Sequence, residues 1–281
     1  MNIQWFPGHM QGTEQFLEKA VLCSDLVLEI LDARLPVSSS NPLLDTICKN
    51  TARIKILNKK DLADSNITKL WLDYFKKLKN CSAIAITGTN ISDVKKALDF
   101  SLNKIKKSKS RRIRIIVVGI PNTGKSTIIN TLAGKKIAKT GNIPAITKHQ
   151  QRTELKNKID IYDTPGILWP NLEDKDGAYR LAVSGAISDA NIDYNDIFYF
   201  ASEFLIEKYP FLLKKRYKLC NNFILDSTSL LKKIGLSRGC LKKGGIIDYQ
   251  KVSKIFIKEL CSGKIGPISF ETPVKEVRIQ N

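Results

Sequence analysis

Residues 119–126 carry the side chains whose types and spacing could do the most specific chemistry in this chain. Two glycines separated by four residues are followed by a lysine and a hydroxyl residue, which fits the phosphate-binding loop pattern. The glycines would let backbone N–H groups turn toward phosphate oxygens, and a following helix would add partial positive charge. Lys125 is expected to reach the β- and γ-phosphates and Ser126 to hold magnesium. The predicted phosphate-binding residues are Asn122, Thr123, Gly124, Lys125, Ser126 and Thr127.

The segments on both sides of this loop predict the structural context that the pattern requires. The apolar stretch 113–118 indicates a buried strand, and residues 127–132 indicate the first part of a helix. A strand, a glycine-containing loop and a helix in this order form a phosphate-binding loop. We therefore predict that the loop lies at the end of a strand in an α/β sheet.

A second motif, at residues 58–61, follows the apolar segment 54–57 and predicts which base is bound. The carboxylate of Asp61 can accept hydrogen bonds from the ring N–H and the exocyclic amine of guanine, whereas adenine lacks that amine. The stem of Lys59 can lie along the base. Such a tetrapeptide also fits an ordinary charged turn, but beside a phosphate loop it indicates a guanine nucleotide. Asn58, Lys59 and Asp61 are the predicted base-side residues.

A third motif, at residues 163–166, follows the predicted strand 159–162. Asp163 would bind magnesium through water, and the N–H of Gly166 would contact the γ-phosphate. Thr147, in the segment between the two phosphate motifs, is predicted to join the magnesium ion only when the γ-phosphate is present. That dependence is typical of the order–disorder switch of GTPases.

The order of the motifs predicts a rearranged domain, because the guanine motif precedes the phosphate loop. A fold tolerates this when its original termini lie close together at the surface, and residues 104–114 would then form the new joint. The predicted fold is α/β: a P-loop GTPase fold in circularly permuted order, with a small all-helical C-terminal domain. We predict the GTPase domain at residues 1–175 and a helical, basic domain at residues 176–281. The helical patterns cover 178–187, 196–209, 227–234 and 249–261, with Pro210 among the residues that separate them.

These motifs resemble those of the circularly permuted GTPases of ribosome assembly, and most closely the ribosome biogenesis GTPase A family. The resemblance implies GTP hydrolysis coupled to late maturation of the large ribosomal subunit, with magnesium as cofactor. The implied partners are GTP and GDP, the precursor of the large subunit, and its rRNA. The motifs that carry the resemblance are residues 5–10, 32–36, 58–61, 119–126, 163–170, 244–248 and 263–266.

The source of catalysis is less directly indicated. Ile167 stands where many GTPases place a glutamine, and its side chain cannot orient water by hydrogen bonding. The resemblance supports His9 as the residue that acts on the attacking water, although a histidine there could also merely pair with a backbone carbonyl. Asn122 either holds a potassium ion beside the phosphates or simply suits a tight turn. The expected catalytic residues are His9, Lys125 and Thr147.

The charge of the chain favours a polyanionic partner. Its 46 Lys and Arg against 27 Asp and Glu give a formal net charge of +19, and residues 208–264 alone hold 14 basic residues against 3 acidic ones. For the C-terminal domain we favour RNA, with no DNA expected. Individual aromatics there could instead belong to the core, and the basic run 104–114 could be a solvated linker. An alternative function is therefore an RNA-binding guanine-nucleotide sensor with little hydrolysis.

The lengths of the apolar stretches and the arrangement of the cysteines predict where in the cell the protein acts. No stretch approaches 18 apolar residues, so no membrane partner is expected. The six cysteines include no Cys-x-x-Cys pair, which indicates free thiols in a reducing compartment and predicts a cytoplasmic protein.

Overall fold

The computed structural model describes residues 10–78, 81–105, 111–135, 151–155, 157–166, 175–187, 193–220 and 222–273. These residues belong to two compact units. An α/β unit takes the described residues between Phe6 and Asn171, together with those from Ser269 onward, and a helical unit takes those between Leu172 and Ile268.

The α/β unit is built on a sheet of six strands in the order β3-β2-β1-β4-β6-β5. All neighbouring strands are parallel except β5, which runs antiparallel to β6. The strands are β1 (Leu26–Asp32), β2 (Ala52–Asn58), β3 (Ser82–Ala85), β4 (Ile113–Val118), β5 (Gln151–Leu155) and β6 (Ile159–Asp163). The helices of this unit are α1 (Met10–Leu22), α2 (Leu43–Ile47), α3 (Ser65–Lys77), α4 (Ile91–Leu102) and α5 (Lys125–Ala133).

The strand order explains how the permutation leaves the sheet intact. The first three strands occupy one side of the sheet and the last three the other, and the two blocks meet where β1 pairs with β4. Exchanging the blocks along the chain would place the phosphate loop first without changing any strand pairing. The predicted permuted α/β fold is therefore confirmed.

The central strands of the sheet are buried on both faces, as is typical of parallel strands. Leu28 and Ile30 of β1 face a cluster that includes Val94 of α4 and Ile128 of α5. On the opposite face, Val27 packs with residues of α1 and α2. The near-continuous apolar runs of β1 and β4 follow from this double burial, since each successive side chain meets helices on one side or the other.

The described residues of the helical unit form five α-helices around an aromatic and aliphatic core. Phe198 and Phe256 meet edge to face, with their ring centroids 4.7 Å apart. The buried carboxylate of Glu259 accepts both Nε and Nη2 of Arg216, at 2.9 and 2.6 Å. The elements are α6 (Lys175–Ser184), α7 (Tyr194–Lys208), α8 (Pro210–Tyr217), α9 (Ser227–Ser237), a short 3-10 helix (Lys243–Gly245) and α10 (Tyr249–Cys261).

Two features of the sequence prediction need correction. Pro210 does separate two helices, since α7 ends at Lys208. The sequence analysis did not predict α8, which begins at Pro210, where a missing N–H costs no intrahelical hydrogen bond. The predicted boundary at 176–281 is also too simple, because residues 269–273 belong to the α/β unit. The Phe270 N–H donates to the Arg34 carbonyl at 2.8 Å, and the Trp71 Nε1 donates to the Glu271 carbonyl at 3.0 Å.

None of the helices in the described part of the chain is both long enough and apolar enough to cross a membrane.

Candidate nucleotide-binding site

The predicted motifs meet at the carboxyl edge of the sheet, around the place where the strand order reverses. The phosphate loop follows β4, the guanine motif begins at the last residue of β2, and Asp163 is the last residue of β6. Neighbouring strands β1 and β4 lead to opposite sides of the sheet, which opens a crevice above their ends. Ligands of open α/β sheets bind at this kind of position.

The phosphate loop needs its two glycines for steric reasons as well as for backbone conformation. Gly119 has φ 153°, and a Cβ there would lie 2.4 Å from the carbonyl oxygen of Ile30. Gly124 has φ 95° and precedes the first residue of α5, so that the helix begins at Lys125 rather than at residue 127 as the sequence suggested. A Cβ on Gly124 would lie 2.3 Å from Nδ2 of Asn58. The loop is therefore packed against the neighbouring strands, with a helix N-terminus at its end that suits an anion.

Lys125 is the buried cation of this loop. Its Nζ donates to the carbonyl oxygens of Gly119 and Ile120, at 3.0 and 2.9 Å. Burial lowers the pKa of Lys125 to about 8, although the nearby charge of Asp163 opposes the shift. The ammonium is thus held over the loop with no carboxylate hydrogen-bonded to it among the described residues. A phosphate would supply the missing negative charge.

This lowered pKa predicts that GTP binding takes up a proton at alkaline pH. In the free protein Lys125 loses its proton as the pH rises through about 8, whereas the bound phosphates would hold it charged. We expect uptake approaching one proton at pH 9, almost none at pH 7, and an affinity for GTP that falls as the pH rises above 8. Calorimetry in two buffers of different ionisation enthalpy measures the uptake. Equal proton exchange at both pH values would contradict this origin.

Asp163 and Ser126 form an oxygen donor set beside the loop. Ser126 Oγ donates to Asp163 Oδ2 at 2.9 Å. The second carboxylate oxygen, Oδ1, is buried, and it has no hydrogen-bond partner in the part of the chain that the structure describes. Burial raises the pKa of Asp163, while Lys125 and the Ser126 hydroxyl act in the opposite direction. A buried acceptor next to a hydroxyl suits the hard oxygen coordination of Mg²⁺, so these two residues fit the predicted ion.

The segment after β6 contacts the phosphate loop directly. A Cβ on Gly166 would lie 2.8 Å from both the Cα and the N of Pro121, so only glycine permits this approach. The preceding Thr164 is fully buried, and its Oγ1 donates to the carbonyl of Val117 at 2.8 Å. The structure thus brings Gly166 to the loop that would hold the phosphates, as its predicted contact with the γ-phosphate requires.

Asn58 joins the base side of the site to the phosphate side. Its Nδ2 donates to the carbonyl of Thr123 at 2.7 Å, and its Oδ1 accepts from the N–H of Gly88 at 2.8 Å. The Gly88 carbonyl in turn accepts from Oγ1 of Thr131 in α5, at 2.8 Å. Asn58 is therefore a cross-link between three loops, and the sequence alone had given it no such role.

Lys59 and Asp61 directly follow β2 at the carboxyl edge of the sheet. Lys59 has a left-handed backbone with φ 61°, and its Nζ bonds to Asp32 Oδ2 at 3.0 Å. Asp61 is exposed, and no described residue is recorded as its hydrogen-bond partner. The carboxylate that would recognise guanine is thus not used by the fold in the described part of the chain.

The sequence analysis missed two residues that support this motif. Asp32 is buried at the end of β1 and accepts from Nε and Nη2 of Arg34, at 2.9 and 2.7 Å, as well as from Lys59. Burial by itself would raise the pKa of Asp32, but the charges of Arg34 and Lys59 outweigh it and hold that pKa well below its usual range. The available signal was a carboxylate ending a buried strand beside the strand that ends at Asn58.

Asp93 is the second missed residue. Its Oδ2 accepts from the N–H of Thr87 at 2.9 Å and from Nζ of Lys60 at 2.7 Å. The carboxylate therefore links the loop after β3 to the guanine motif. The short segment 86–89, to which the sequence analysis gave no role, is thus tied to the site through its backbone.

The remaining predicted residues divide into two groups. Asn122 has φ 59°, a left-handed conformation that asparagine tolerates, so its turn role is satisfied whether or not it also binds potassium. Thr123 is buried, and its Oγ1 donates to the Ile120 carbonyl at 3.0 Å; Thr127 lies in the first turn of α5. His9, Thr147 and Ile167 lie outside the described residues, so the predictions for them stand as made.

Comparisons with known proteins show which proteins this chain is similar to. A family model described as 50S ribosome-binding GTPase matches residues 114–201. The ribosome biogenesis GTPase A of Priestia megaterium is 42% identical over 97% of this chain and 98% of its own length. A GDP-bound TM YlqF structure covers 92% of this chain and 99% of its own, with TM-score 0.68 and 31% identity. A GNP-bound YlqF structure from T. maritima covers 93% of this chain and 98% of its own, with TM-score 0.67 and 30% identity.

Proposed function

This chain belongs to the ribosome biogenesis GTPase A family, and we propose that it binds a precursor of the large ribosomal subunit in its GTP state, promotes late maturation, and leaves after hydrolysis. Family membership makes it a ribosome-assembly GTPase that binds GTP and GDP. The observation that supports the finer proposal is that one chain joins these nucleotide-binding motifs to a strongly basic helical unit. We propose the cytoplasm as its place of action.

In the proposed reaction, water attacks the γ-phosphorus of GTP, the bond to the β–γ bridging oxygen breaks, and GDP leaves with that bond's electron pair. The backbone of residues 119–125 and the ammonium of Lys125 would hold the phosphates and stabilise the growing charge. Ser126, Asp163 and Thr147 would hold magnesium, which supplies further positive charge when bound. The proposed binding residues on the base side remain Asn58, Lys59 and Asp61.

The roles of two further groups in hydrolysis are also proposals. We propose that His9 orients the attacking water and that Asn122 helps hold a potassium ion beside the phosphates. The support for His9 is the family resemblance of residues 5–10, and the support for Asn122 is its place inside a phosphate loop. Slower turnover in sodium than in potassium supports the ion, and equal rates count against it.

The proposed rRNA surface is the basic side of the helical unit. Residues 208–264 hold 14 basic residues against 3 acidic ones, and exposed lysines lie on α9 and next to the 3-10 helix. Phe211 is 72% exposed, so its ring is available for stacking, whereas Tyr217 is buried and belongs to the core. Lysines would meet phosphates, and an exposed aromatic ring can stack on an unpaired base.

We expect that reversing four of these charges weakens binding to the large-subunit precursor and leaves GTP binding intact. The variant carries Lys232→Glu, Lys233→Glu, Lys242→Glu and Lys243→Glu. Each lost phosphate contact should reduce the slope of log affinity against log salt by about 0.7 to 0.9. Sedimentation with precursor particles, in GTP analogue and in GDP over a range of salt concentrations, measures the effect.

The matched control also reverses four charges, at Lys69, Lys76, Lys77 and Lys95, which are exposed on α3 and α4 of the α/β unit. Particle binding that falls equally in both variants would assign the effect to net charge rather than to this surface. Equal affinity of the unmodified protein in GTP analogue and in GDP would refute the nucleotide-controlled cycle. Hydrolysis that particles do not accelerate would count against coupling to assembly.

A further inference from the structure

We propose that residues 269–271, the C-terminal strap, are a positioning element for guanine-nucleotide binding, with Glu271 as its anchor. The strap follows Ile268, where the helical unit ends along the chain, and belongs to the α/β unit. The proposal rests on the proposed role of residues 58–61 as the guanine motif. It adds a group far away in sequence that would hold this motif in place.

The strap is bound by specific polar contacts and not only by apolar packing. One carboxylate oxygen of Glu271 accepts from the N–H of Val37 at 2.6 Å, and the other accepts from the N–H of Ser38 at 3.0 Å and from the Ser38 hydroxyl. The side chain is also nearly buried, with 8% of the residue exposed. A carboxylate that accepts several N–H and O–H groups in a buried setting makes strong, charge-assisted hydrogen bonds.

The strap contacts the loop after β1 (the strand that pairs with β2) and the beginning of the helix that follows the guanine motif. On one side it holds the loop after β1, through Glu271 and through the Phe270 N–H, which donates to the Arg34 carbonyl. On the other side it holds the beginning of α3, because the Asp64 N–H donates to Ser269 Oγ at 3.2 Å. Asp64 also caps α3, since its carboxylate accepts from the N–H groups of Asn66 and Ile67. Residues 58–61 lie between β2 and this helix.

A continuous set of contacts leads from the strap to Lys59. The strap fixes the backbone of Arg34, and the guanidinium of Arg34 forms a bidentate pair with Asp32. Asp32 then accepts from Lys59 Nζ at 3.0 Å. Arg34 and Asp32 are each only 1% exposed, so they cannot exchange this pairing for water without disturbing the loop that the strap holds. The ammonium that ends the Lys59 stem is therefore held in place through the strap.

The direct test is the rate at which GDP leaves. Glu271→Gln keeps the size of the side chain and one carbonyl oxygen but removes the charge and one of the two acceptor oxygens of the carboxylate. We expect GDP dissociation to become about tenfold faster, the effect of losing one strong hydrogen bond. We also expect a smaller preference for GDP over inosine diphosphate, which lacks the amine. Ser38→Ala, which removes only the donating hydroxyl, should change both quantities in the same direction by less.

Glu259→Gln is the matched control, because Glu259 is also a nearly buried glutamate with several hydrogen-bond donors but lies in the helical unit. It should leave the dissociation rate and the base preference unchanged. A double-mutant cycle distinguishes positioning from general stability. In a Lys59→Met background, Glu271→Gln should add little to the dissociation rate, whereas additive effects of the two changes would overturn the proposal.

The same measurements distinguish a failure of the guanine motif from a failure of the strap proposal. Should the unmodified chain show no preference for GDP over inosine diphosphate, the guanine motif itself is refuted, and the strap proposal with it. A clear preference in the unmodified chain that Glu271→Gln leaves unchanged overturns the strap alone. A lower melting temperature without a change in base preference also overturns it, because that result assigns the strap a purely structural role.

Discussion

Replacing Lys125 with methionine is expected to reduce GTP hydrolysis by about 10²- to 10³-fold, the loss typical of removing one group that stabilises charge in the transition state. The ammonium lies over the phosphate loop on the carbonyls of Gly119 and Ile120. From there it is placed to follow the charge that develops on the γ-phosphate. Methionine keeps the length and the apolar packing of the stem but carries no charge. Single-turnover hydrolysis at saturating enzyme separates this loss from weaker binding.

The same substitution is expected to stabilise the nucleotide-free protein at pH 7. Burial shifts the pKa of Lys125 from 10.5 to about 8, which corresponds to a cost of about 3 kcal/mol for keeping the charged form folded. Two lost hydrogen bonds offset part of the gain, at about 1 kcal/mol each. The free-energy cost of the buried charge has its full value below pH 8 and falls to zero near pH 10.5. The stability that Lys125→Met gains should therefore decrease over that interval.

Urea unfolding at several pH values measures this gain, and Lys95→Met is the control. Lys95 lies on α4 with an exposed side chain, so its replacement should change neither stability nor hydrolysis appreciably. A Lys125→Met protein that is both less stable and inactive would show that the lysine holds the loop together. In that case the buried ammonium would be a structural element and not a charge kept for the phosphates.

The sequence predicted the parts of this site whose chemistry is local. Gly119 and Gly124 predict a loop with positive φ angles. Lys125 and Ser126 predict that this loop binds phosphates and magnesium. The carboxyl edge could also be predicted, because each motif directly follows an apolar run that becomes a strand. The order of the motifs along the chain predicted the circular permutation. Strands can pair in the same parallel arrangement whichever block of strands comes first in the sequence.

What could not be predicted depends on contacts between distant segments. The bond from Lys59 to Asp32 requires β1 and β2 to pair in register, so that Asp32 lies opposite Asn58. The role of Asn58 toward Thr123 joins residues 65 positions apart in the chain. A hydrophobic pattern fixes the face on which a side chain lies, but it does not fix the neighbour that the side chain meets across the sheet.

The contacts of the strap could not be predicted either, because they join residues that lie even farther apart in the sequence. Glu271 and Val37 are separated by 234 positions, and no local pattern marks the segment after Ile268 as part of the α/β unit. The sequence analysis gave Glu271 no role. The helix that begins at Pro210 was not predicted for a different reason, because proline disfavours the interior of a helix but is common in its first turn.

Replacing Asp61 with asparagine is expected to change which base the protein binds. The carboxylate would accept two hydrogen bonds from guanine, each worth about 1.5–3 kcal/mol for a charged acceptor. Asparagine keeps one acceptor and presents an amide N–H₂ in place of the other, opposite the amine of guanine. We expect affinity for GTP to fall by about 10²- to 10⁴-fold. Affinity for xanthosine triphosphate should rise, because its carbonyl at that position can accept from the new amide.

This exchange tests base recognition more sharply than loss of binding alone, since a gain cannot come from misfolding. Asp61 is exposed, so the fold should tolerate the change. Asp73→Asn, at an exposed position of α3 in the same unit, is the control and should keep the preference for GTP. Competition between GTP, ATP and xanthosine triphosphate for a fluorescent nucleotide gives all three affinities in one assay. If the Asp61→Asn protein still preferred GTP, Asp61 would not recognise the base, and another part of the chain would have to do so.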